Sequence, residues 1–230
     1  KNKIILTNTP NAVRRPVAVA SLTMILSLSS KLMIKDKLLR EGRWNERTNH
    51  MGVGLTNKTL GLIGFGGIGK EFVKISKDLF KKVICYDPFV DKEEMKNLKV
   101  DKVDFEEIAS SSDFLVILCD LNEKTRGMID STFLNKMKSS SYLINLSRGP
   151  VVNENDLIAS LKQNKISGAG LDVMTNEPIE ENNELLNLKN TILTPHSLCW
   201  TDECFDSIAT EAITSILNYF NNKKIINRVV

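Results

Sequence analysis

The sequence predicts an α/β fold, a doubly wound parallel sheet, on three observations. From Thr59 onward, short apolar runs alternate with segments of helical periodicity. The runs are apolar throughout rather than at every second residue, as strands covered on both faces must be. A glycine-rich turn joins the first run to the first helical segment. Alternation of this kind calls for parallel strands joined by right-handed crossovers.

Before the alternation begins, Pro10 and Pro16 bracket a short polar linker. Pro16 suits the first turn of one long helix over 16–40, with Gly42 placed to end it. The first half of that helix is apolar nearly all round, so burial on more than one side is expected. Its uncharged stretch from Pro16 to Ser30 is shorter than the ~20 residues a membrane span needs, and no membrane partner is expected. A loop over 43–57 carries Trp44, Asn45, Asn49 and Gly52. Strands are then expected at 60–64, 82–86, 114–118, 142–145, 168–173 and 191–193, and helices at 68–80, 105–109, 131–136 and 153–163. A last helix over 201–220 opens with Asp202 and Glu203, charges favoured at a helix N-terminus. The chain starts at Lys1 and runs at once into Ile4-Ile5-Leu6, which reads as a strand entered in mid-domain.

Composition narrows the function classes. A chain of 230 residues holds one large domain, or one domain and part of another. Lys and Arg number 31 against 28 for Asp and Glu, and the basic residues are spread among the acidic ones, which argues against a nucleic-acid partner. Cys85, Cys119, Cys199 and Cys204 form no C-x-x-C pair, and with two histidines the chain offers no zinc pattern. Cys85 and Cys119 fall in apolar runs, the reading being reduced, buried thiols in a cytoplasmic protein.

The sharpest motif is Gly64-Phe65-Gly66-Gly67-Ile68-Gly69, which follows the first strand and opens the next helix. Gly64 permits a tight turn, Gly66 lets backbone approach a pyrophosphate, and Gly69 lets helix and strand pack closely. The helix N-terminus then offers unpaired N–H groups to the anion. Such a turn alone is a weak signal. Here the second strand ends at Tyr86-Asp87, close to the spacing of about 20 residues expected of a ribose-binding acid. A carboxylate accepts hydrogen bonds from ribose hydroxyls and repels a 2′-phosphate, and Pro88-Phe89-Val90 offers no Arg for that phosphate. The sequence thus predicts a Rossmann-like domain that binds NAD.

Three further segments fall where later strands should end: Asn145-Leu146-Ser147-Arg148-Gly149-Pro150, Gly170-Leu171-Asp172-Val173 with Glu177-Pro178, and Thr194-Pro195-His196. Ligands gather at the carboxyl ends of strands in open α/β sheets. An Arg there can hold a carboxylate or polarise a carbonyl. A His can take a hydroxyl proton, and a carboxylate beside it can hold the ring and stabilise its charged form. Taken singly, each residue also has a plain reading as a surface, loop or backbone-bonding group.

In their order, G-F-G-G-I-G, Y-D-P, N-L-S-R-G-P-V-V-N, G-A-G-L-D-V with N-E-P, and L-T-P-H resemble the D-isomer-specific 2-hydroxyacid dehydrogenase family, which includes phosphoglycerate dehydrogenases and glyoxylate/hydroxypyruvate reductases. The resemblance runs from about Thr7 to the C-terminus. It implies hydride transfer between NAD(H) and a D-2-hydroxy or 2-keto acid. Arg148 would be the substrate-binding electrophile, Glu177 the partner of the base and His196 the acid/base. Gly67 and Ile68 would contact pyrophosphate and Asp87 the adenosine ribose. Cys119, Thr125, Leu146, Arg148, Asp172 and His196 would line the cofactor cleft, Asp172 near the carboxamide. Asp120 stands where the family has Pro, so the adenine-side geometry is expected to differ.

The resemblance also implies two domains: 1–16 as the end of a flavodoxin-like substrate domain and hinge, 17–200 as the NAD-binding domain, and 201–230 as a helix returning to the substrate domain. The loop that holds the substrate carboxylate would lie upstream of Lys1. Gly42-Arg43-Trp44 resembles a dimer-forming arm, implying a homodimer through 16–57, with helix and arm over about 17–57. An NAD-sensing regulator of the same fold, co-repressor-like, is the alternative; Arg148, Glu177 and His196 together favour the enzyme.

Overall fold

The computed structural model describes residues 4–230. Seven strands form one sheet in the order β3-β2-β1-β4-β5-β6-β7. They are β1 (Thr59–Ile63), β2 (Lys82–Tyr86), β3 (Asp101–Lys102), β4 (Phe114–Ile117), β5 (Tyr142–Asn145), β6 (Gly168–Leu171) and β7 (Thr191–Leu193). Every pairing is parallel. The doubly wound sheet expected from the apolar runs is the fold.

Parallel strands require crossovers, and helices supply most of them: α3 (Gly67–Ser76), α4 (Lys92–Asn97), α5 (Phe105–Ser111), α6 (Ser131–Lys136) and α7 (Glu154–Lys162). The side-chain period of two sends Phe114 and Val116 of β4 to one face and Leu115 and Ile117 to the other, and all four are buried. On the first face they meet Phe72, Met24 and Ile25; on the second they meet Ile108, Phe133 and Leu157. Both faces being covered is why the strands carry no polar alternation.

The helix expected over 16–40 is two helices, α1 (Arg14–Ser30) and α2 (Leu32–Arg40), bent by 58° at Lys31. Serines explain the break. Ser30 Oγ donates to Leu26 O at 2.6 Å and Ser29 Oγ to the same carbonyl at 3.1 Å, competing with the helical ladder. Val53 N–H then captures Ser29 O at 2.7 Å, and Lys31 turns left-handed at φ 55°. Gly42, at φ 70°, ends α2 as expected. Among the described residues no single helix is long and apolar enough to cross a membrane, although α1 and α2 together pass by length and composition. The buried side of α1 packs on α3, β5 and β6.

Three other expectations need correction. Ile4-Ile5-Leu6 is not a strand of the sheet; Val229 N–H donates to Leu6 O at 2.8 Å and Asn8 N–H to Asn227 O at 3.2 Å, so the segment pairs with the chain's own tail. The helix expected over 68–80 stops at Ser76 and tightens into a 3-10 turn, Lys77–Leu79. The segment 91–103, dense in charge, hides α4 and the two-residue β3, whose apolar anchors are Met95 and Val100. α8 (Asp202–Phe220) begins at Thr201, whose hydroxyl caps Cys204 N–H at 3.1 Å.

The central strand, β4, is fully buried along its length. Leu115→Ala, at a site with no solvent exposure, is expected to cost about 3 kcal/mol of unfolding free energy. Urea denaturation checks this; a loss below ~1 kcal/mol would contradict the packing described.

Candidate active site

The strand order reverses between β1 and β4, and the crevice at their carboxyl ends is where ligands bind in such sheets. The glycine turn sits there. Gly64 has φ 100°, and a Cβ on it would come within 2.7 Å of Cys119 N at the end of β4, so glycine is required twice over. A Cβ on Gly69 would stand 2.5 Å from Gly64 O, which explains the close approach of α3 to β1. A Cβ on Gly66 would meet nothing within 4 Å: this backbone faces open space at the N-terminus of α3. The turn thus offers a cradle of N–H groups that a pyrophosphate fits. Ile68 follows within the first turn of α3.

Asp87, one residue past β2, is drawn to the same turn. Its carboxylate accepts from Phe65 N–H at 2.7 Å and from Phe89 N–H at 2.9 Å. Cys119 and Thr125 lie beyond β4. Burial pushes the Cys119 thiol up to about 11, so it is a neutral wall. Thr125 Oγ1 donates to Asp120 O at 2.6 Å and accepts from Asn122 N–H at 2.8 Å. The hydroxyl closes the 120–125 loop with Asp120 where a proline was expected.

Arg148 follows β5 and is exposed, its Nη1 donating to Ser147 O at 2.7 Å. Its backbone is held from below. Asn145, 1% exposed, donates from Nδ2 to Arg148 O at 3.0 Å while its Oδ1 accepts from Ser147 N–H at 3.0 Å. Leu146 is buried beside it. A Cβ on Gly149 would collide with the carbonyl of Met174, so the β5 and β6 exits press against each other.

The link from β6 to β7 is a loop with one 3-10 turn, Glu184–Asn187, and it carries Glu177. Glu177 Oε2 lies 2.7 Å from His196 Nδ1, and Glu177 Oε1 accepts from Met174 N–H at 2.9 Å. Desolvation pushes the Glu177 carboxyl up, but His196, the Met174 N–H and the charge of Arg148 outweigh it and hold the group below its ordinary value of 4.5. An ionised carboxylate at Nδ1 selects the Nδ1–H tautomer and leaves Nε2 as the ring atom open to a ligand. The pair borders an apolar cavity of about 490 Å³ walled by Met174, Pro178, Ile179, Leu186, Leu193 and Pro195.

His196 itself sits at φ 52°, a conformation that costs a non-glycine residue roughly 1–2 kcal/mol. Asp172, buried at the end of β6, supplies the restraint. Its Oδ1 accepts from Thr194 Oγ1 at 2.6 Å and from Ser197 N–H at 3.1 Å, and its Oδ2 accepts from Leu198 N–H at 3.3 Å. The carboxylate therefore holds the Thr194 hydroxyl before His196 and the backbone after it. The expected contact of Asp172 with a carboxamide would share an oxygen already so engaged. Asn145 and Thr194, a buried and a half-buried polar group inside the strand-end motifs, hold this geometry without being marked for it by residue type alone.

The model of the D-isomer specific 2-hydroxyacid dehydrogenase NAD binding domain matches residues 22–197. The chain belongs to this family. It is 36% identical over 215 residues to the glyoxylate reductase of Thermococcus litoralis, covering 91% of this chain and 65% of that protein. It is 33% identical over 226 residues to the D-3-phosphoglycerate dehydrogenase of Archaeoglobus fulgidus, covering 98% of this chain and 43% of that protein. The chain thus spans less than two thirds of either relative. Among solved structures, D-lactate dehydrogenase from Aquifex aeolicus, complexed with NAD and lactic acid, superposes with a TM-score of 0.91 at 28% identity, covering 99% of this chain and 73% of that one. An acyclic imino acid reductase in complex with NADPH and D-Arg gives 0.89 at 28% identity, covering 100% and 72%. The family's NAD-binding domain is what this sheet builds.

The depressed Glu177 carboxyl carries a pH signature. A group whose folded value is lowered adds stability above its ordinary value and loses it as pH falls through the folded one. Below pH 4.5 the unaltered protein is therefore expected to lose stability more steeply than Glu177→Gln. Denaturation midpoints measured across that acid limb check it, and parallel slopes would contradict the pairing.

Proposed function

We propose that the whole protein is an NAD-dependent oxidoreductase acting on a D-2-hydroxy acid or its 2-keto acid. The observation that carries this reading is the Glu177–His196 hydrogen bond at the sheet's carboxyl edge, with Arg148 near enough to act on Glu177. Such a dyad is built to move one proton at Nε2. When bound, the nicotinamide supplies the hydride acceptor or donor.

The chain's own groups divide the remaining work. His196 Nε2 takes the proton from the substrate hydroxyl oxygen in the oxidative direction, and returns it in the reductive one. Glu177 holds the ring in that tautomer and neutralises the charge it gains. The Arg148 guanidinium holds the substrate's carboxylate or carbonyl with paired donors. Gly64, Gly66, Gly67, Ile68 and Gly69 would cradle the pyrophosphate, and Asp87 the adenosine ribose, favouring NAD over NADP. Cys119, Thr125, Leu146 and Asp172 would line the same cleft, Asp172 chiefly by fixing the loop that presents His196.

Domain organisation follows the same reading: 1–16 joins a substrate domain, 17–200 binds the cofactor, and 201–230 returns to the substrate domain. Exposed Phe205, Ile213, Ile216 and Phe220 on α8 support that return. A homodimer through 16–57 is supported by exposed Leu26, Met33, Leu39, Trp44 and Met51. Four free cysteines, two of them buried, fit a reducing, cytoplasmic setting.

Two measurements test these proposals. With the full-length protein and a panel of 2-keto acids, NADH oxidation is expected, and His196→Gln should lower kcat by about 10²–10⁴-fold while NADH binding persists. Near-normal turnover in that variant would remove His196 from the chemistry. Sedimentation at micromolar concentration is expected to return a dimer, and a monomer would dismiss the 16–57 interface.

A further inference from the structure

We propose that Arg14 is a cofactor-binding residue, supplying from α1 the positive charge that faces the pyrophosphate at the glycine turn. The inference rests on the NAD site described above and concerns which side chain neutralises the anion there.

Gly67 is the glycine that the G-x-G-x-x-G pattern does not ask for. The structure gives it a reason. The position a Cβ would occupy on Gly67 lies 2.9 Å from Arg14 Cζ and 3.0 Å from Arg14 Cδ. Any larger residue would push the guanidinium off the turn. The glycine is the seat of this arginine, and the seat is the first residue of α3.

In the free protein the placement is electrostatically unfavourable. Arg14 is also the first residue of α1, so its charge stands at two helix N-termini, each carrying a positive partial charge. Neither helix has an acid in its first turn, and neither has a side-chain cap. Neighbouring cations have partners: Arg15 pairs with Glu71 at 2.8 Å, Lys74 with Glu71 at 3.5 Å, and Lys70 with Glu94. Arg14 has no ion pair or side-chain hydrogen bond among the described residues, and Asp87, the acid at this turn, is occupied by the N–H groups of Phe65 and Phe89. A dianionic group resting on Gly66 and Gly67 would satisfy the guanidinium and both helix ends together. Arg suits that task because its planar donors match phosphate oxygens in pairs.

The test is cofactor binding by the full-length protein, followed by fluorescence titration and calorimetry rather than turnover. Arg14→Ala is expected to weaken NADH binding roughly five- to twentyfold and to flatten its dependence on ionic strength. Arg14→Lys should recover part of the affinity and Arg14→Gln should not. Arg15→Ala, which breaks the Glu71 pair instead, should leave NADH affinity within about twofold. Gly67→Ala should weaken binding in the unaltered protein but add little in the Arg14→Ala background, the coupling expected of a seat and its occupant.

Equal affinity of folded Arg14→Ala and the unaltered protein would overturn the proposal while leaving the NAD reading intact. Failure of the unaltered protein to bind NADH would remove both. NADPH provides the remaining arm: a loss confined to NADPH would assign the guanidinium to a 2′-phosphate instead and overturn the pyrophosphate assignment, whereas equal losses for NADH and NADPH support it.

Discussion

An all-parallel sheet places every strand's carboxyl end along one edge, and the site follows from that constraint. Parallel strands cannot be joined by hairpins, so after each strand the chain must cross back to the amino edge before the next one begins. The residues just past β1, β2, β4, β5, β6 and β7 are Gly64, Asp87, Leu118, Leu146, Asp172 and Thr194. Positions far apart in sequence become neighbours by register alone, Ile63 lying beside both Tyr86 and Ile117.

Two buried polar side chains convert that neighbourhood into a defined geometry. Asn145 uses its amide to hold the Ser147–Arg148 backbone, and Asp172 uses its carboxylate to hold the backbone flanking His196. Asn145 ends β5 and Asp172 directly follows β6, and each satisfies groups that would otherwise be costly to bury. The left-handed backbone of His196 persists because these bonds over-determine it. Arg148 and His196 thereby stand on restrained loops, as the proposed proton transfer at a fixed distance would need.

Charge at this edge is unevenly distributed. Glu177 is met by His196 and by the field of Arg148. At the glycine turn the balance is different: two uncapped helix ends and the Arg14 guanidinium gather, and the acid there, Asp87, is engaged by the N–H groups of Phe65 and Phe89. This is the charge pattern on which the proposed anion site at one end and the proposed proton transfer at the other rest.

Much was determined by the sequence itself. Unbroken apolar runs and their spacing predict four of the six crossovers and the parallel sheet, because burial on two faces leaves a composition signal that local reading detects. The glycine turn and Asp87 were legible for the same reason, since backbone approach and a strand-end acid need particular residue types. What the tertiary structure alone decided was anything set by contact across distance: the break of the first helix at Lys31, enforced by Val53; the short β3, held by its neighbour; and the clamp of Asp172 on the His196 loop. Arg14 is the sharpest instance. In sequence it belongs to a polar linker between two prolines, and only the packing of α1 along α3 lays it over Gly67. Hydrophobic pattern records what is buried, but not which polar groups the folded backbone brings face to face.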